Sequence, residues 1–203
     1  MVCIVDYGLG NLGSINNMLN YAEIPCVISS EKSVIQEATH LILPGVGSFD
    51  TGIKNIDSRF LREILNYEVL VKRKPVLGLC LGAQLMLESS DEGQLHGLGW
   101  IKGTCVKFKI SEKIKIPHMG WNTVNTSGEY KLFKNMPFYP PRFYFVHSYH
   151  FSLADTQIII GKTSYGEEFP SAFKAANIFG VQFHPEKSHK FGIQLFKNFY
   201  SIL

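Results

Sequence analysis

Short, largely apolar runs alternate with segments of helical period in the first half of the chain. This alternation is typical of βαβ units, which build an α/β fold around a doubly wound, mostly parallel sheet with helices on both faces. The pattern predicts strands at Val2–Val5, Cys26–Ser29, His40–Leu43 and Val76–Leu79, and helices at Ser14–Ala22 and from about Ser58 to Lys72.

The pattern changes after about Leu95, where alternating segments with little helix indicate antiparallel strands and hairpins. We expect these strands to extend the same sheet, with a turn at KAAN. The last segment, His189–Leu203, predicts an amphipathic helix with Phe191, Leu195, Phe196 and Phe199 on one face. The alternating segments are GLGWIKGTCVKFKI, KIPHMGWNTV, RFYFVHSYHFSL, TQIIIGKTSYG and SAFKAANIFGVQFHP.

Length and composition favour one globular domain over residues 1–203. Of the 203 residues, 45% are hydrophobic and 18% are charged, and the net charge of +3 gives no indication of nucleic-acid binding. No run reaches the roughly 18 apolar residues of a membrane span, and the N-terminus lacks the features of a signal peptide, so we expect a cytoplasmic protein. The four cysteines have no CxxC spacing, and we expect neither a metal, a cofactor nor a disulfide framework.

Three glycine-containing loops follow predicted strands. DYGLGN follows the first strand, PGVG the third and GLCLG the fourth. Because ligands of open α/β sheets collect beyond the carboxyl ends of the strands, we expect the three loops to meet at one edge.

The GLCLG segment has the form of a nucleophile elbow, a sharp turn from strand to helix that lifts one side chain out of the sheet. Gly78 and Gly82 supply the small neighbours that such a turn needs, and the following helix N-terminus favours a thiolate on Cys80. A buried, inert cysteine explains this segment about equally well when it is taken alone.

A catalytic thiol needs a base, and His184 has a suitable position at the end of the apolar run IFGVQF. If the chain stays extended here, Glu186 lies on the same side as His184 and can orient its imidazole. Together with Cys80, these residues predict a Cys-His-Glu triad for acyl transfer. Without Cys80, the HPE segment indicates only a turn at the end of a strand.

Acyl transfer also needs donors for an oxyanion. The backbone amides of Gly47, in the PGVG loop, and of Leu81, just after the nucleophile, are the candidates. The glycines also suggest a hypothesis in which a loop peptide rests with its carbonyl toward the thiol and reorients on activation.

At these motifs the chain resembles the class I, triad-type glutamine amidotransferases, through GLCLGAQ, PGVGSF and FGVQFHPEKS. Within that family it is most similar to glutaminase subunits of imidazole glycerol phosphate synthase, through DYGLGNLGS, KIPHMGWN and FYFVHSY. The resemblance implies a flavodoxin-like fold, the triad Cys80, His184 and Glu186, and a glutamine site that includes Gln84, Ser148 and Tyr149.

The resemblance also implies a partner, a (β/α)8-barrel cyclase that receives the ammonia and forms imidazole glycerol phosphate and aminoimidazole carboxamide ribotide in histidine biosynthesis. It places Met119, Trp121, Tyr144 and Lys187 near that partner, although Trp121 and Tyr144 are equally well explained as core aromatics. Ala83 stands where the family suggests a larger side chain, and Gly13 where it suggests a basic residue, in a segment interpreted as a loop.

Three other functions remain open from the sequence. A glutaminase that supplies ammonia for amidation of a cell-surface sugar would share every catalytic residue. A non-catalytic regulatory protein would be expected to have lost a triad member, and none is missing. A cysteine peptidase or thiol esterase fits less well, because Gln84 and the PGVG loop suit a small amide substrate.

Overall fold

A mixed β-sheet forms the centre of the fold. The computed structural model describes residues 1–109, 114–126 and 130–202. The strands are β1 (Val2–Val5), β2 (Cys26–Ser29), β3 (His40–Leu43), β4 (Val76–Leu79), β5 (Ser89–Ser90), β6 (Gly103–Lys107), β7 (His118–Thr123), β8 (Asn125–Thr126), β9 (Arg142–His147), β10 (Tyr149–Leu153), β11 (Ile159–Tyr165), β12 (Glu167–Ala175) and β13 (Ile178–Val181). The α-helices are α1 (Leu12–Tyr21), α2 (Lys32–Glu37), α3 (Phe49–Ser58), α4 (Arg62–Asn66), α5 (Leu81–Gln84) and α6 (His189–Tyr200).

The central sheet has the strand order β2-β1-β3-β4-β13-β12-β11-β8. The first five of these strands are parallel, and β12, β11 and β8 continue the sheet in antiparallel pairings. The fold is therefore the predicted doubly wound α/β fold with antiparallel strands from the C-terminal half.

Helices cover both faces of the sheet, because alternate residues of each buried strand point to opposite sides. On one face, Val2 and Ile4 of β1 pack in a core with α1 and α6. On the other face, Cys3 and Val5 pack in a second core with α2, α3 and α4. Strand β1 is wholly buried, which explains its continuous apolar sequence.

The four N-terminal strands begin and end where the sequence predicts, and their loops meet at one edge of the sheet. The Tyr7 hydroxyl, in the loop after β1, donates to the carbonyl of Pro44, in the loop after β3. Gly45 in turn lies so close to the backbone of Gly82, after β4, that an added Cβ would overlap its amide nitrogen. The convergence of the three glycine-containing loops is confirmed.

The prediction that the later strands all extend one sheet is wrong. Strands β10, β6 and β5 form a separate three-stranded sheet, and β7 pairs with β9 in a two-stranded ribbon. In addition, β13 is antiparallel to β12 but parallel to β4, beside which it lies in the sheet. Periodicity identified these strands but carries no information about which partner each one takes.

The helix predicted from Ser58 to Lys72 is also wrong in its extent. Helix α3 comes earlier, and the chain breaks at Phe60, which has φ 56°. Leu61 is fully buried, so the chain turns there before α4 begins. Helix α4 then continues as a π-helix over Tyr67–Val71. Helix α2 was not predicted, because it has only one buried residue, Ile35.

Other predicted boundaries differ by a few residues. Helix α1 begins at Leu12 and includes Gly13, which is therefore helical and not part of a loop. The predicted KAAN turn is confirmed between β12 and β13. The predicted segment end Ile110 and the predicted helix end Leu203 lie outside the described residues. Among the described helices, none has the length and apolar character to span a bilayer.

Candidate active site

Cys80 occupies a strained turn between β4 and α5. Its backbone has φ 49° and ψ −109°, in the left-handed half of conformational space that residues with a Cβ rarely adopt. The Cys80 amide donates to the carbonyl of Val181 in β13 at 2.8 Å, so the turn starts directly from the sheet. This geometry is that of the predicted nucleophile elbow, although α5 is only four residues long.

Glycines make room for this turn. A Cβ added to Gly78 would lie 2.6 Å from the Cα of Ala83, and one added to Gly82 would overlap the carbonyl oxygen of Leu43. Ala83 is fully buried under the turn, where the backbone of β4 and α5 leaves little space for a larger side chain. The small residues around Cys80 are therefore a packing requirement of the elbow.

His184 and Glu186 form a buried pair. His184 Nδ1 donates to Glu186 Oε1 at 2.7 Å, so Nε2 is the ring nitrogen left to interact with Cys80. The sequence predicted this contact on the assumption that the chain is extended after His184. That assumption is wrong, because Pro185–Lys187 forms a 3₁₀ turn. Ser188 closes the turn by donating to the His184 carbonyl at 2.6 Å.

The electrostatics of His184 favour an imidazolium. Burial by itself lowers the pKa of His184. The charge of Cys80, a hydrogen bond with the Cys80 side chain and the interaction with Glu186 outweigh burial and raise the pKa to about 10. A positive His184 beside Cys80 stabilises a thiolate, the form that attacks a carbonyl.

One cavity of about 300 Å³ brings most of the predicted site residues together. Gly47 lines it with φ 131°, a conformation that favours glycine. Glu186 lies behind the imidazole, outside the cavity wall. The predicted residues that line the cavity are Gly47, Cys80, Leu81, Gln84, Ser148, Tyr149, His184 and Lys187.

Comparison with known proteins identifies the family of the chain. The family model for class-I glutamine amidotransferases matches residues 3–203. The chain belongs to this family. It is 51% identical over 199 residues to imidazole glycerol phosphate synthase subunit HisH 2 of Methanococcus maripaludis, covering 98% of both chains. It is 44% identical to the protein of the same name from Pseudomonas aeruginosa over the full length of both.

Solved structures share the fold of this amidotransferase at low sequence identity. A crystal structure of a glutamine amidotransferase matches with a TM-score of 0.77 at 15% identity, covering 98% of this chain and 97% of its own. The structure of PurLQS from Thermotoga maritima matches with a TM-score of 0.68 at 18% identity, covering 98% of this chain and 96% of its own. Both comparisons extend over nearly the whole chain, so the fold is shared from end to end.

Three residues predicted to face a partner lie outside the cavity of the amidotransferase. Met119 and Trp121 are 60% and 41% exposed, which argues against a core position for Trp121. Trp121 packs edge-on against the half-buried Tyr144, with ring centroids 6.4 Å apart, and Lys187 lies over the Tyr144 ring at 5.7 Å. Met119 lies two positions before Trp121 on β7, so it shares the outward side of this strand. We name these four residues the surface cluster; Lys187 also lines the cavity.

Sequence reasoning missed two polar residues of this site. Glu92 lines the cavity, and its Oε2 accepts the Phe49 amide at 2.8 Å at the start of α3. Gln182 is fully buried, and its Nε2 lies 3.6 Å from Cys80 Sγ. A signal for Gln182 was available, because it is a polar residue within the apolar run IFGVQF. Among the described residues, no cluster of three His, Cys, Asp or Glu side chains is arranged to hold a metal ion.

The charge state of His184 gives a first prediction. In an NMR titration of the wild-type amidotransferase, we expect the His184 ring to stay protonated up to about pH 10. In Cys80→Ala the charge and hydrogen bond that raise the pKa are absent, so the pKa should fall. The pKa of His184 in the folded protein is higher than the usual 6.5 of histidine, so binding of this proton adds to the free energy of unfolding. This contribution is complete below pH 6.5 and is lost as the pH rises through about 10. Equal His184 titrations in both proteins would contradict this account.

Proposed function

We propose that this chain hydrolyses L-glutamine to glutamate and ammonia through a thioester on Cys80. The observation that carries the proposal is the strained Cys80 in a glutamine-sized cavity, beside an imidazole that a buried carboxylate orients. Cys80 is the nucleophile, His184 the general acid and base, and Glu186 the group that orients His184 and stabilises its cation.

The proposed reaction proceeds in two halves. The Cys80 thiolate attacks the side-chain amide carbon of glutamine, and the backbone amides of Gly47 and Leu81 stabilise the oxyanion. His184 then gives its proton to the nitrogen, and the carbon–nitrogen bond breaks to release ammonia. Water, deprotonated by His184, attacks the thioester, and the carbon–sulfur bond breaks to give glutamate and restore the thiolate.

Glu92 and Gln84 are suited to recognise the amino-acid end of the substrate. The α-ammonium of glutamine needs a carboxylate or other acceptor, and Glu92 supplies a carboxylate at the cavity wall. Both hydrogens of the Gln84 amide are used by protein acceptors, so its oxygen is the atom left for a ligand. Ser148 and Tyr149 complete this side of the cavity.

Replacing Glu92 with glutamine tests this assignment. The variant loses a charge-assisted contact, so we expect KM for glutamine to rise by roughly ten- to a hundredfold, with kcat much less affected. Steady-state ammonia release measures both constants, and Glu88→Gln, a change of the same kind outside the cavity, is the control. An unchanged KM would remove Glu92 from the substrate site.

A cyclase subunit is the proposed partner, since the relatives are named as subunits of imidazole glycerol phosphate synthase. We propose that it is a (β/α)8-barrel, that it docks on the cluster of Met119, Trp121, Tyr144 and Lys187, and that ammonia passes through it. The acceptor would be the phosphorylated ribulosyl-formimino carboxamide nucleotide of histidine biosynthesis. The chain would then work as a single domain in the cytoplasm.

Complementation tests the pathway. We expect the gene, expressed with its cyclase partner, to restore growth without histidine to a strain lacking its glutaminase subunit. Cys80→Ala at the same expression level should not restore growth. If the wild-type protein hydrolyses glutamine in vitro but fails to restore growth, the ammonia acceptor is a different one, such as a cell-surface sugar precursor.

A further inference from the structure

A chain of hydrogen-bonded polar side chains, buried except for the half-buried Asn122, connects strand β7 to the sulfur of Cys80. The donor of every hydrogen bond can be identified, because backbone carbonyls only accept: the Ser164 carbonyl accepts from Asn122, and the Tyr149 carbonyl accepts from His147 and Gln84. The chain runs through the side chains of Asn122, His118 and His147, the carbonyl of Tyr149, and the side chains of Gln84 and Gln182.

The outer part begins at Asn122. Its Nδ2 donates to the Ser164 carbonyl at 3.0 Å and to His118 Nε2 at 3.1 Å, while its Oδ1 accepts the Thr123 amide at 2.8 Å. In the opposite amide orientation, Oδ1 would face the Ser164 carbonyl oxygen and the NH₂ group would face the Thr123 N–H. The observed orientation of the Asn122 amide is therefore required. His118 Nε2 is therefore an acceptor, and the ring proton of His118 is on Nδ1.

The middle part fixes a second histidine. His118 Nδ1 donates to His147 Nε2 at 2.9 Å, and His147 Nδ1 donates to the Tyr149 carbonyl at 2.8 Å. Burial lowers the pKa of His118 to about 4. Burial also lowers the pKa of His147 to about 3, with the nearby histidines His118, His150 and His184 acting in the same direction. Both rings are neutral at pH 7, as this pattern of donors requires.

The inner part ends at the nucleophile. Gln84 Nε2 donates to the Tyr149 carbonyl at 3.1 Å and to Gln182 Oε1 at 3.1 Å. Since Gln84 presents N–H to Gln182, the Gln182 oxygen must face Gln84 and its NH₂ must face the thiol. Gln182 Nε2 lies 3.6 Å from Cys80 Sγ, within the distance of a hydrogen bond to sulfur.

We propose that Gln182 donates a hydrogen bond that stabilises the Cys80 thiolate, in an orientation that Gln84 fixes from the Tyr149 carbonyl. His118 is a positioning residue that, through His147, helps to hold this carbonyl in place. The inference deepens the proposed glutaminase function, on which it rests. His184 supplies the charge that favours the thiolate, and Gln182 supplies a directed N–H to the sulfur. These hydrogen bonds hold the Gln182 N–H in place before substrate arrives.

Alkylation of Cys80 by iodoacetamide tests the inference without glutamine. Gln182→Glu keeps the acceptor that Gln84 needs but replaces the N–H with a carboxylate oxygen. On the acidic limb of the rate–pH profile, we expect this variant to react roughly tenfold more slowly than wild type at a given pH. The two profiles should converge at high pH, where the thiol is ionised in both. Gln157→Glu, an exposed site, is the matched control and should follow wild type.

His118 provides a second pair of variants. His118→Asn retains an N–H donor near the position of Nδ1, whereas His118→Leu has none. We expect the leucine variant to shift the acidic limb in the same direction as Gln182→Glu but by less, and the asparagine variant to recover most of the shift. Thermal melting shows whether each variant is folded.

Two results would overturn the inference. One is a Gln182→Glu profile that superimposes on wild type. The other is a rate that is lower by the same factor at every pH, which would indicate restricted access to the thiol and not a changed ionisation. Glutamine hydrolysis by the wild type is measured separately, so a failure of the proposed function remains distinguishable from a failure of this inference.

Discussion

Cys80→Ala is expected to lose glutamine hydrolysis almost completely, with kcat falling by roughly 10⁴-fold or more. No neighbouring group can replace the thiolate, because the thioester that divides the reaction into two halves cannot form. Ammonia release should be measured with the cyclase partner present, so that a slow basal rate does not hide the difference. Thermal melting shows whether the variant is folded, and a lower melting temperature is expected because Cys80→Ala also loses the stabilising interaction with His184.

Cys26→Ala is the control for this experiment. Cys26 is half-buried on β2, and its sulfur lies near Asn16 and Asn20, on the N-terminal helix and away from the cavity. We expect it to retain wild-type activity. Equal ammonia release by Cys80→Ala and wild type would falsify the assignment of the nucleophile.

Gly82→Ala is expected to be damaging for a purely steric reason. The added Cβ would overlap the Leu43 carbonyl oxygen, which belongs to the neighbouring strand β3 and cannot rotate away. We expect a loss of roughly 3 kcal/mol in the free energy of unfolding, which corresponds to a decrease of about 10 °C in melting temperature for a chain of this size. The displaced elbow should also reduce kcat by about a hundredfold in the molecules that fold.

Gly13→Ala is the matched control. Gly13 lies in helix α1, and an added Cβ would meet no atom within 4 Å. Alanine there should raise the free energy of unfolding by roughly 0.5–1 kcal/mol through helix propensity, without affecting hydrolysis. Calorimetry and ammonia release on both variants give the comparison. A Gly82→Ala protein as stable and active as wild type would show that the elbow backbone moves more freely than its packing indicates.

Three of the four N-terminal strands, β1, β3 and β4, could be located from sequence because buried strands contain little but apolar residues. Val2–Val5 and His40–Leu43 are fully buried, and the turns that follow them contain glycine. The pairing of the later strands could not be predicted, because β7 and β12 have similar alternation but belong to different sheets. Partner choice depends on contacts between residues far apart in sequence.

The proposed triad could be predicted from sequence because Cys80 follows the apolar strand β4 between glycines, and His184 follows β13 with Glu186 two positions later. The contact between Glu186 and His184 was predicted from an extended chain, but the chain forms a 3₁₀ turn there. The contact is present because a tight turn also brings residues two positions apart close together. Gln182 was missed because its role depends on Gln84, 98 residues away, and on the orientation of an amide. Such a relationship exists only in the folded chain.

Alternate residues of strand β7 point to opposite sides and take part in different interactions. His118 and Asn122 point inward to the polar chain, and Met119 and Trp121 point outward to the surface cluster. Substitutions at the outward positions can change the surface offered to another protein while the inward positions keep their hydrogen bonds. An ancestral gene of this kind could therefore acquire a new partner in small steps, and a designer could retarget the surface in the same way without rebuilding the catalytic machinery.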